Sequence, residues 1–99
     1  MNVDDNAKTF LEKYIDAIFQ EHEEFEDIFR NILCGQGIEP NLETILSYII
    51  GNVIGFLDGF YLSKHNRTMN VNERKELIDF LKSRAFQLRE VFASTRVKA

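Results

Sequence analysis

Small residues recur at every fourth position through the most apolar part of this chain, at Ser47, Gly51, Gly55, Gly59 and Ser63. In an α-helix these positions line one slanting groove, and the repeat fits a helix better than any two-residue alternation. Each interior glycine weakens a helix by roughly 1 kcal/mol relative to alanine. A helix that keeps three of them is expected to gain something in return, and close approach of another helix is the natural gain. The ladder is therefore read as a packing or interface element, made with another helix of the same chain or with a second subunit.

With 99 residues the chain forms one domain, 1–99, in the size range where a partner subunit often adds stability. Its 44% apolar content with nine Phe is that of a globular protein. Cys34 is the lone cysteine, which excludes an intrachain disulfide and a multi-cysteine zinc site and suits a reducing, cytoplasmic setting. Residues 1–6 are acidic and lead into no apolar h-region, so no secretory signal is expected. Residues 44–57 carry no charge, but this run falls short of the about 20 residues that span a bilayer, and no membrane association is expected.

Apolar periodicity predicts three long helices, at about 6–34, 41–63 and 71–93. In the first, Leu11, Ile18, Phe25 and Ile32 keep a heptad step, with residues 20–24 polar enough to kink and Gly35 as the C-cap. Asn41 as cap, or Pro40 in the first turn, starts the second. That helix is apolar almost all round, which predicts a central position covered on several sides. Asn70 and Glu73 resemble a capping box at the start of the third, whose Leu77, Leu81, Ala85, Leu88 and Phe92 share a face. The fold class is thus all-α, an up-down-up bundle completed by dimerisation. Folding the chain about residues 37 and 67 sets His22, Asn52 and Lys82 at one level and brings Asp58 to Arg74 and Lys75.

Charge is uneven: residues 1–34 carry a net −6 and residues 64–99 a net +5, within a total of −4. The simplest reading is attraction between the first and third helices. Nucleic-acid binding is not expected, because acids interrupt the basic helix and no recognition motif is present.

Candidate polar sites are few. His22 and Glu26 stand four apart, but two ligands do not make a metal site, and no HExxH pattern completes one; His22 is read as a core histidine bonded to Asn52 or Glu26. Asn52 and Asp58 are read with His22 as buried polar groups, and Asp58, alone among apolar neighbours, is expected to meet a cation from the third helix or to face solvent near the helix end. Lys64, His65 and Arg67, in the loop that feeds that helix, form a candidate anion site. No nucleophile, base and stabiliser occur together, so neither an enzyme nor a cofactor is expected. The leading expectation is a homodimeric protein–protein interaction, scaffold or regulatory module, and the alternative is a small-ligand or anion-binding domain using the 64–68 loop.

Overall fold

The computed structural model describes residues 3–96, with side chains through Ala93. These residues form four α-helices and no strand: α1 Asp5–Gln20, α2 His22–Gly35, α3 Leu42–His65 and α4 Val71–Arg96. The all-helical class is as expected. The count is not, because the first predicted helix is two.

Each start follows from a local cap. Asp4 accepts from the amides of Asn6 and Ala7 at 2.8 and 3.4 Å. Asn41 and Thr44 bond reciprocally, side chain to backbone, at 3.0 and 2.8 Å, so Asn41 and not Pro40 opens α3. Asn70 and Glu73 do the same at 2.8 and 2.9 Å before α4. The helix ends differ from expectation in three places, one of them the end of α3, which runs to His65 and not to residue 63. Gly37, at φ +75°, takes the left-handed position after α2 that was assigned to Gly35. The Ile38 amide then reaches the Leu33 carbonyl at 2.9 Å and the Gly37 amide reaches that of Cys34 at 3.0 Å, which is a Schellman closure. α4 runs on to Arg96, past the expected end at residue 93.

The break at Glu21 (φ −124°, ψ 42°) separates two directions of travel. Along α1, Tyr14 meets Asn52 and Phe10 stacks on Phe56, an antiparallel register in which paired positions move together. On α2, Phe29 already lies against Tyr48 and also against Phe92 of α4. Fifteen residues from Tyr14 to Phe29 thus advance only four along α3, so α2 crosses the bundle steeply where α1 runs along it. A straight helix cannot do both. The polar stretch 20–24 holds no fully buried side chain and yields there. This crossing also undoes the expected level of His22, Asn52 and Lys82: the partner of Asn52 is Tyr14.

α3 and α4 are antiparallel in the expected register. Asp58 meets Arg74 at 2.8 Å, and Glu43 meets Arg89 at 2.7 Å. α1 and α4 run parallel, joined by Lys8 to Glu76 and Arg84 to Asp16. Of the α4 arginines, therefore, two serve carboxylates of α3 and one serves α1, a different distribution from simple attraction between the first and last helices. The core includes Ile15 and Ile18 from α1, Phe29 and Leu33 from α2, Ile45, Ile49, Val53, Leu57 and Tyr61 from α3, and Leu77, Leu88 and Phe92 from α4. Burying each contributes roughly 1.5–3 kcal/mol against chain entropy.

Candidate functional site

The five buried residues of α3 named above also step by four. The small-residue row is offset from them by two positions, which is about 200° around the helix, so burying one row turns the other outward. Ser47, Gly51, Gly55, Gly59 and Ser63 are all exposed. A Cβ built on Gly51, Gly55 or Gly59 would meet no heavy atom within 4 Å beyond the helix's own backbone. The expectation that α3 is covered on several sides is therefore corrected: α1, α2 and α4 all lie against one face.

The rows on either side of the glycines form the walls of this open groove. One is Ile50, Ile54, Asp58 and Leu62; the other is Tyr48, Asn52, Phe56 and Phe60. Ile50 is 43% exposed, Phe56 42% and Leu62 53%, values that leave large apolar side chains in water. Phe10 of α1 extends the second wall, its ring 4.0 Å from that of Phe56. The register fixed by Asp58–Arg74 and Glu43–Arg89 puts Ile78 of α4, also exposed, at the level of Ile54 beyond the first wall. Beside the glycines, Phe10, Leu11, Tyr14, Asn52, Val53, Phe56 and Leu57 line a cleft of about 120 Å³, too small for a cofactor but large enough for one side chain. By length and composition α3 could cross a membrane, and 33% of its most apolar window is buried.

The polar candidates separate. Asn52 is exposed and donates to the Tyr14 hydroxyl at 2.9 Å, so it is not the buried polar group expected. His22 is half-buried at the start of α2, and Glu26, expected as its partner, accepts from Arg30 Nε at 2.8 Å. Asp58 is half-buried and held by Arg74, as its setting required. Among the described residues no group of three or more His, Cys, Asp or Glu is placed to hold a metal ion.

Lys64 and His65 lie in the last turn of α3 and not in the expected loop, and together with Arg67 just beyond it they are engaged by the chain's own acids. Lys64 Nζ and His65 Nε2 both lie 2.9 Å from Asp4 Oδ2, and Arg67 reaches both oxygens of Glu73, at 2.8 and 3.1 Å. Instead of converging on an empty centre, Lys64, His65 and Arg67 clamp the start of α1 and the start of α4 to the end of α3. Tyr61, 1% exposed, joins the two clamps: its oxygen accepts from the Asp4 amide at 2.6 Å, and its hydroxyl donates to Glu73.

Glu26 and Glu73 are the buried carboxylates that the sequence reading missed. For Glu73 the signal was present as the capping box, which ties its carboxylate to the start of α4; for Glu26 it was Arg30 one turn on. Arg67 first, then the Asn70 amide and the Tyr61 hydroxyl, holds the Glu73 carboxyl at about 2 against the opposing effect of burial. Lys64 and His65 hold Asp4 well below the ordinary range, and Lys8 with the Val3 amide lowers Glu76. Groups depressed in the folded state stabilise it above their unfolded values, and that contribution disappears as pH falls toward the folded ones. Melting temperature should accordingly be level above about pH 5 and drop between about pH 4.5 and 2. Glu73→Gln should flatten that drop in melts followed by circular dichroism; an equal slope in the variant would remove Glu73 from the cause.

No family model, no characterised protein and no solved structure matches the chain.

Proposed function

We propose that the protein is a helical interaction module, a scaffold or regulator of protein assembly, and that its contact face is the outer face of α3. The observation that carries this reading is the open space over Gly51, Gly55 and Gly59. The chain keeps three poor helix formers where its own fold gives them nothing to touch, and it sets large apolar side chains on both sides of them. An exposed, contiguous apolar face with a backbone floor is the geometry into which another helix docks closely. On this reading the bundle is one layer short, and a partner helix supplies it. The outer face meets its partner in the cytosol, where the exposed Cys34 stays a thiol.

The 64–68 loop offers less, because its cations are spent on Asp4 and Glu73 inside the fold. Native mass spectrometry of the protein isolated from its own source tests the reading. A species heavier than the 11.6 kDa chain is expected, and it should revert to the single chain when Leu62→Glu places a charge on the groove wall. A chain that stays alone at every concentration would remove the interaction role.

A further inference from the structure

Resting on that reading of α3, we infer that the occupant of the groove is a second copy of the same chain, packed antiparallel across a two-fold axis at Gly55. The first argument is symmetry. A two-fold contact is isologous, so position 55 − n on one copy meets position 55 + n on the other when the helices are antiparallel. The row satisfies this without adjustment: Gly51 answers Gly59, Ser47 answers Ser63, and Gly55 answers itself. Small residues meet small residues on both sides of the axis, and the two backbones close on each other at its centre.

The walls obey the same operation. The axis sets each wall against its own counterpart, displaced by two residues from the 55 ± n levels, so that Ile50 of one copy comes between Asp58 and Leu62 of the other along one wall, and Tyr48 comes toward Phe60 along the other. Apolar side chains meet in both cases, and each has room to interleave because its counterpart is displaced by half a turn. Asp58, the one carboxylate on the walls, brings no unpaired charge, since Arg74 of its own chain already holds it.

Charge distinguishes the two orientations. The side chains at the two ends of α3 are already met within the chain, Glu43 by Arg89 and Lys64 by Asp4, so the charge left at each end is that of the helix dipole. An antiparallel pair sets the positive N-terminal end of one helix on the same side as the negative C-terminal end of the other, whereas a parallel pair would set like ends together. Area is sufficient as well. Four-residue rows pack at a crossing angle near −50°, so the partner helix leaves the groove obliquely and passes over Phe10 on one side and Ile78 on the other. A helix of 24 residues with those flanks offers on the order of 500 Å² per copy, about 1,000 Å² in all, at the threshold for a specific interface.

Disulfide trapping in a Cys34→Ser background reads the orientation directly. In the antiparallel pair residue 51 faces residue 59 of the other copy, while the two residues 51 stand about 12 Å apart along the axis, beyond the reach of a disulfide. A mixture of Gly51→Cys and Gly59→Cys proteins should therefore form a cross-linked dimer under mild oxidation, and neither variant alone should do so. Linkage of Gly51→Cys to itself would show a parallel pair and overturn the inference while leaving self-association intact. A dimer by sedimentation with no linkage in the mixture would place the seam elsewhere. Single chains by sedimentation would defeat the docking face itself, and flotation of those single chains with phosphatidylcholine vesicles would assign the face to lipid.

Discussion

Gly55→Leu should convert an assembled protein to single chains while making each chain more stable. In the folded chain nothing lies within 4 Å of where a side chain at position 55 would begin, so leucine meets no obstacle there. It also replaces a poor helix former by a good one, a gain of about 1 kcal/mol per chain. The cost falls on assembly: a leucine at the centre of a backbone-to-backbone contact forces the helices apart, at roughly 1–3 kcal/mol from each copy. The outcome therefore depends on concentration. Below the dissociation constant of the native protein the variant should melt higher than wild type, and above it the variant should melt lower and sediment as a monomer. Gly35→Ala, at an exposed helix end away from α3, is the control for the helix effect, because its added methyl also meets nothing. Gly37→Ala does not serve, since φ +75° makes any side chain there strained. A Gly55→Leu protein that gains stability at all concentrations and keeps the native mass would show that the groove stays open to water.

Tyr61→Ala should be the most damaging single truncation at the polar end of the bundle, lowering unfolding free energy by about 3–5 kcal/mol. The ring is 1% exposed, packs against Phe60 and His65, and carries Arg67 over its face at 5.3 Å. Truncation empties that space. It also strips the Asp4 amide of its acceptor and Glu73 of one donor, in a place where Glu73 is already 2% exposed. Tyr61→Phe separates the two effects. It keeps the packing and removes the hydroxyl, which should cost about 1–3 kcal/mol for the buried groups left unsatisfied. Phe86→Ala is the comparison on α4: at 70% exposure its ring should be worth within about 0.5 kcal/mol. Urea unfolding of the three variants orders them, and a Tyr61→Phe protein as stable as wild type would mean that the clamp at Asp4 and Glu73 contributes nothing beyond packing.

That clamp marks a boundary of what could be read along the chain. The capping box of Asn70 and Glu73 was legible as a helix start, because its two bonds join residues three apart. Burial of the same Glu73 was not, because it depends on Tyr61 and Arg67 arriving from another helix. The meeting of Asp58 with Arg74 could be anticipated from a short loop and an antiparallel return, whereas the partner of Asn52 could not. One break at Glu21 shifted α1 along α3 by about two turns relative to a straight helix, and every pairing inferred across that break moved with it.

What the residues determined by themselves were the helices: caps at Asn41 and Asn70, periodic apolar faces, and on α3 two rows at four-residue spacing, one bulky and one small. All of these are set within one or two turns, by bonds and contacts between near neighbours in sequence. The tertiary structure decided which way each face turned. Three helices crowd against Ile45, Ile49, Val53, Leu57 and Tyr61 because those side chains remove the most apolar surface from water, and since the glycine row lies about 200° away it was left outside.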